Sequence, residues 1–203
     1  SDNDLIVLED DPYGELRYVG DDVRPIKSFD DKGRVVYMST FSKILAPGLR
    51  VGWTAADPEI LRKLIIAKQS SDVCTNVLGQ AIAHEYIAQG HIDPQVERIR
   101  EIYGRKLSIM VDGMKRFMPE ELRWVPPEGG MFLWATLPEG LSSAQLLKEA
   151  LEERVAFVSG RAFFPNPDDG DGALRLNFTY PSDDMIEEGL HRLGGVFARS
   201  MRR

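Results

Sequence analysis

The chain has 203 residues, 43% hydrophobic and 28% charged, a balance that suits a folded protein and argues against disorder. Its formal net charge of −7 disfavours a nucleic-acid or anionic-membrane surface. One cysteine, Cys74, rules out an intrachain disulfide and points to a reducing cytoplasm, and no apolar run approaches transmembrane length.

The first element is Leu5-Ile6-Val7-Leu8, an apolar run that meets Glu9, Asp10, Asp11 and Pro12. It reads as a buried parallel strand ending in a loop, and ligands of open α/β sheets collect at the carboxyl ends of strands. Asp10, at the strand end, can hold a pyridine nitrogen protonated, and Tyr13 can donate its phenol to a ring oxygen. A turn cap for Asp10 or Asp11 and a packed aromatic for Tyr13 are the plainer alternatives.

Val35 to Met38 and Val51 to Ala55 read as further strands. Between them Lys43 sits among hydroxyls and apolar residues, with Arg50 following seven positions on. A partly desolvated lysine near a second cation loses its proton more readily, and its free amine condenses with aldehydes. An arginine among Ser and Thr hydroxyls suits a phosphate. Amine and phosphate clamp together describe pyridoxal 5'-phosphate; a solvated loop lysine is the alternative.

Helices follow. Asp57 as cap and Pro58 in the first turn open one whose buried face is Leu61, Leu64 and Ile65. The chain changes character near residue 75. A helix from Val77 to about Ala88 breaks at Gly90, and a long one begins with Asp93 as cap and Pro94 next. The stripe of the long helix is Val96, Ile99, Tyr103, Leu107, Met110, Met114 and Phe117, more core than cofactor contact, and its length suits a bridge between domains.

The final third alternates strand and helix, an α+β pattern. Gly129 and Gly130 mark a tight turn before a strand from Met131 to Thr136. Ser142 opens a helix with a Ser-x-x-Gln145 capping box, Val155 to Val158 and Leu174 to Phe178 read as strands, and 165–172 as a surface loop. Ser182 caps a terminal helix with Asp183 and Asp184 in its first turn and Ile186, Leu190, Leu193 and Phe197 inward. Arg175 lies inside an apolar strand, where a guanidinium must meet a carboxylate, whether of the protein or of a ligand. His84, His91 and His191 lie apart without metal-ligand spacing, so no metal is expected.

These segments resemble the fold type I pyridoxal-phosphate aminotransferases of classes I and II, most of all the branch with 2-aminoadipate and kynurenine aminotransferases. The likeness rests on E-D-D-P-Y-G-E-L at 9–16, T-F-S-K-I-L-A-P-G-L-R-V-G-W at 40–53, P-E-G-G-M-F-L-W at 127–134 and L-R-L-N-F at 174–178. It implies that Lys43 bonds the cofactor aldehyde and moves the substrate proton, and that Asp10 pairs with the pyridine nitrogen and Tyr13 with the ring oxygen. Thr40, Ser42 and Arg50 would hold the phosphate and Arg175 the substrate α-carboxylate. Thr40 stands where the family commonly has Ser, and its hydroxyl can still donate.

The resemblance covers only the second half of the family's pattern. It implies an α/β fold: residues 1–75 as the C-terminal part of the cofactor-binding large domain with its parallel-rich sheet, 76–118 as connecting helices, and 119–203 as a small α+β C-terminal domain. The expected whole is a cytoplasmic homodimer that transaminates an α-amino acid with a 2-oxo acid acceptor. This portion alone would be inactive and would expose an apolar edge at Leu5 to Leu8. A β-eliminating lyase and the effector half of an aminotransferase-like transcription regulator share the same motifs and stand as rivals.

Overall fold

A computed structural model describes residues 5–202. The chain divides into two compact units, Ser1–Arg100 and Glu101–Arg203. It is a mixed α/β protein.

In the first unit, β1 (Val7–Asp10) runs parallel to β2 (Val35–Thr40), and β2 pairs antiparallel with β3 (Gly52–Ala55). Val35 and Val36 are buried, as are Leu16 and Val51. The parallel pairing of the first strand agrees with the sequence reading; in place of a buried strand it shows the exposed apolar edge expected of this portion alone. Leu5, Ile6, Val7 and Leu8 are 40–69% exposed, because among the described residues β1 is the edge of this sheet with a neighbour on one side only.

Helix α1 (Pro58–Asp72) starts where Asp57 accepts the Glu59 backbone N–H at 2.8 Å. Its expected inner face is corrected: Leu61 is half-buried, whereas Leu64 and Ile65 are exposed, since the periodicity of a helix says which residues share a face and not what covers it. Helix α2 (Val77–Ala88) is capped by Asn76, and Gly90 follows it in a left-handed conformation, φ +72°. A Cβ on Gly79 would lie 2.8 Å from the Leu49 carbonyl, so this helix approaches the 47–49 turn at backbone distance.

Helix α3 (Ile92–Phe117) begins one residue before the expected cap, leaving Asp93 in its first turn, and the division between the units falls inside it. Its stripe is as expected: Val96, Leu107, Met110 and Met114 are buried, with Ile99, Tyr103 and Phe117 half-buried.

The second unit holds an antiparallel sheet in the order β4 (Arg123–Trp124), β5 (Phe132–Thr136), β7 (Ala173–Asn177), β6 (Val158–Ser159). Strand alternation buries Leu133, Ala135, Leu174 and Leu176 on one face and puts Phe132, Trp134, Arg175 and Asn177 on the other. Helix α4 (Ser143–Glu152) and helix α5 (Asp183–Ser200) complete the unit, and Ile186, Leu190, Leu193, Val196 and Phe197 of α5 are all buried.

Four local expectations in this unit are adjusted. Ser142 accepts from the Gln145 backbone N–H, but the Gln145 side chain turns to Glu149, so the return bond of the capping box is not made. Ser182 stands at the start of α5 without a side-chain cap bond. The strand expected from Val155 is confined to Val158–Ser159, because Arg154 is left-handed and Val155 N–H still bonds the Ala150 carbonyl. Finally, the 165–172 loop contains a 3-10 turn over Pro167–Gly170 whose last residue is buried. Among the described residues no helix is long and apolar enough to cross a membrane, and no cluster of His, Cys, Asp and Glu could hold a metal.

Candidate active site

The three acids at the end of β1 have different surroundings. Glu9 accepts the backbone N–H groups of Ile26 and Lys27 at 2.7 and 2.8 Å. Asp11 takes the Tyr37 hydroxyl at 2.8 Å, and its carbonyl takes that of Ser39 at 2.9 Å. Asp10 lies between them, exposed, and no hydrogen bond or ion pair to its side chain occurs among the described residues. The turn-capping work that was open to Asp10 is done by its neighbours, and its carboxylate is left with all its acceptor capacity. Burial, then the Asp11 carboxylate, push the Tyr37 hydroxyl up to about 12, so it stays a donor across the neutral range.

Lys43 sits in the turn that leaves β2. That turn doubles back: Phe41 N–H bonds the Val51 carbonyl, and the N–H groups of Leu45 and Ala46 both bond the Phe41 carbonyl. Lys43 is half-buried, and no ion pair to it occurs among the described residues. Its Nζ stands 5.8 Å from the centroid of the Tyr13 ring, within reach of a cation–π contact.

The same turn gathers a group of donors. Thr40 Oγ1 is 3.0 Å from both Ser42 Oγ and the Val51 carbonyl, and it accepts the Ser42 N–H at 3.1 Å. Arg50 places Nη1 3.0 Å from the Pro47 carbonyl and 3.5 Å from Ser42 Oγ, with no carboxylate partner among the described residues. It does so from a left-handed backbone, φ 55° and ψ 39°, a conformation that an L-residue adopts at a cost of roughly 1–2 kcal/mol. Two hydroxyls and an exposed guanidinium without a carboxylate partner among the described residues make a seat for an anion with several oxygens. Asp10 and Thr40 end the two parallel strands, so the acid and the donor group share the carboxyl edge of that part of the sheet.

Arg175 belongs to the second unit. Pairing sets it opposite Trp134 on β5 and Val158 on β6. Its guanidinium carbon is 3.8 Å from the Phe132 ring centroid and 4.5 Å from that of Phe163, and its Nε is buried without a hydrogen-bond partner. No ion pair to it occurs among the described residues, so a structural salt bridge does not account for this half-buried cation. The aromatic seat was not foreseen. Phe132 follows Pro-Glu-Gly-Gly-Met and lies on the Arg175 face by strand alternation, a signal that pairing makes visible; Phe163 lies in a 3-10 turn and carries none.

The chain matches the model of the family described as aminotransferase class I and II over residues 1–193. It is 48% identical over its whole length to aromatic-amino-acid aminotransferase 1 of Thermococcus litoralis, covering 48% of that protein. With the 2-aminoadipate transaminase of Thermus thermophilus it shares 43% identity, over 94% of this chain and 48% of that protein. Its fold superposes on the crystal structure of Pyrococcus horikoshii kynurenine aminotransferase, solved in complex with PMP, with a TM-score of 0.96 at 47% identity, over 100% of this chain and 50% of that one. The chain thus spans about half the length of the curated relatives it matches.

Proposed function

Since the chain belongs to the class I and II aminotransferase family, we propose that the protein moves an amino group from an α-amino acid to a 2-oxo acid with pyridoxal 5'-phosphate as cofactor. The observation that carries this reading is Lys43: half-buried, without an ion-pair partner among the described residues, beside the Tyr13 ring and in the turn that gathers Thr40, Ser42 and Arg50. The donor set fits that cofactor. An amine, a polyoxygen-anion seat and an unpaired acid match its aldehyde, its phosphate and its ring nitrogen.

Bound there, pyridoxal phosphate would supply an aldehyde for the amino group and a protonated ring as the electron sink. Lys43 Nζ removes that proton as general base and returns it as general acid. The Asp10 carboxylate accepts the pyridine N–H and keeps the ring charge paired, and the Tyr13 phenol donates to the ring oxygen. Arg50 with the hydroxyls of Thr40 and Ser42 holds the phosphate, so the reacting end cannot drift. Arg175 pairs with the α-carboxylate of amino acid and oxo acid alike.

The proposal extends to the substrates and the assembly. Aromatic amino acids, kynurenine and 2-aminoadipate are the candidate donors, after the names of the relatives, and 2-oxoglutarate the candidate acceptor. A cytoplasmic homodimer belongs to the same reading, as does a layout with residues 1–75 closing the cofactor domain, 76–118 connecting and 119–203 forming the small domain. Relatives at 48% and 43% identity that are named for enzymes support transamination over a regulatory effector role. The test is a panel of amino acids with 2-oxoglutarate, read by mass spectrometry. A 2-oxo acid and glutamate in equal amounts are expected; pyruvate and ammonia would place the protein with the eliminating lyases.

A further inference from the structure

We infer that Asp171 is a positioning residue for Arg175, acting through a chain of hydroxyls and the ring of Phe163; the inference rests on the proposed role of Arg175 as the α-carboxylate partner. The starting point is the seat itself. With Nε unpartnered, the guanidinium is held by two rings, Phe132 at 3.8 Å and Phe163 at 4.5 Å. Phe132 is fixed by the β5–β7 pairing. Phe163 ends a 3-10 turn, Gly160–Phe163, and something other than a sheet must hold it.

Three bonds do so. Ser143, fully buried at the start of α4, places its Oγ 2.6 Å from Ser159 Oγ and 3.2 Å from Asp171 Oδ1. Asp171 Oδ1 also accepts the Ala144 N–H at 3.0 Å, and the Asp171 carbonyl accepts the Ser143 N–H at 2.8 Å. Proton counting then fixes a direction, because a carboxylate only accepts. Ser143 gives its proton to Asp171, Ser159 gives its proton to Ser143, and Ser159 Oγ is left to accept the Arg161 N–H at 3.3 Å inside the turn. Each bond polarises the next, and the chain ends on a charge at a helix N-terminus. The hydroxyl of Ser142, with the Ala144 N–H and the Ser143 hydroxyl, holds the Asp171 carboxyl below its ordinary range, so the charge persists at working pH.

Backbone contact leaves the turn little room to move. A Cβ on Gly160 would lie 2.8 Å from the Ala173 carbonyl, and one on Gly170 would lie 2.6 Å from the Gly160 carbonyl carbon. The segment that carries Phe163 is therefore clipped to α4 and to the residue that opens β7, two positions before Arg175. Phe163 also packs edge-on against Trp134, 5.4 Å between centroids, on the same face. Removing Asp171 frees the turn, and the ring that flanks the guanidinium loses its fixed place.

The test uses the holoenzyme and four variants: Asp171→Ala, Ser143→Ala, Phe163→Leu and Phe163→Tyr. The first three should raise KM for amino acid and oxo acid about tenfold while kcat changes by less than about threefold, the pattern of a lost binding contact. Reaction with the matching amine that lacks the carboxylate should be unaffected, a contrast that a general loosening of the fold would not produce. Phe163→Tyr, which keeps the ring, should restore KM to within about twofold of wild type. In an Arg175→Ala background Asp171→Ala should add nothing further. If Arg175→Ala itself leaves carboxylate binding unchanged, the role of Arg175 is wrong. If Arg175→Ala weakens it while Phe163→Leu and Ser143→Ala do not, the role of Arg175 stands and the positioning by Asp171 is overturned.

Discussion

The hydroxyl of Tyr37 reaches from β2 to Asp11 Oδ2 with a 2.8 Å hydrogen bond. That bond, with the two N–H groups held by Glu9, satisfies the acids on either side of Asp10 and leaves Asp10 without one. Neighbouring carboxylates in one motif are thereby sorted into two that build the sheet end and one available for chemistry.

This sorting predicts opposite outcomes for adjacent substitutions. Asp10→Asn should leave stability within about 0.5 kcal/mol of wild type, since no bond is lost. It should slow α-proton removal by several orders of magnitude, because a neutral amide no longer keeps the ring nitrogen protonated. Asp11→Ala should cost about 1–3 kcal/mol by stranding the Tyr37 hydroxyl. Thermal melts and single-turnover proton exchange on both variants measure the contrast; a destabilised Asp10→Asn with unchanged turnover would return Asp10 to a capping role.

Arg50 carries backbone strain for its position beside Ser42. At φ 55° a glycine is at ease and an alanine is not. Arg50→Gly should therefore be more stable than Arg50→Ala by about 1 kcal/mol, while both lose cofactor to the same extent. Denaturant midpoints and the dialysis rate of pyridoxal phosphate test the two halves separately. Equal stability of the two variants would deny the strain, and retained cofactor in both would deny the phosphate contact.

Acid should unfasten the first unit at a definable place. Asp30, whose side chain is 3% exposed, accepts from Lys27 Nζ at 2.8 Å and from the backbone N–H groups of Arg34 and Val35, both at 2.9 Å, at the start of β2. The Lys27 ammonium and those N–H groups hold its carboxyl far below the usual range. Its folded pKa is depressed, so the unfolded state binds the proton first. The stabilisation is complete above the ordinary carboxylate value of about 4 and is lost as pH falls below it toward the folded value. Asp30→Asn should be less stable at pH 7 and should show a shallower acid limb in urea titrations between pH 6 and 2. A parallel acid limb would mean that other carboxylates govern it.

The sequence made the local features legible and left the non-local ones hidden. The grouping of Thr40, Ser42 and Arg50 sits in one contiguous turn, so residue types and spacing were enough to anticipate it. The stripe of α3 was equally plain, since its period repeats over many turns. Tyr37 beside Asp11, and the rings beside Arg175, depend on strand register and on a 3-10 turn, which no single segment encodes. The exposed faces of Leu64 and Ile65, and of β1, show the complementary limit: amphipathicity predicts a face that wants cover and is silent on the cover itself. Strand β4, at two residues, is too short for alternation to register.

On the proposed mechanism Lys43 carries both the cofactor and the proton. Borohydride reduction of the protein saturated with pyridoxal 5'-phosphate, followed by peptide mapping, measures it most directly. One pyridoxyl group per chain is expected on the peptide containing Lys43, with no such labelling in Lys43→Ala; the same label on Lys63 or Lys68, or undiminished labelling of Lys43→Ala, would overturn the role of Lys43.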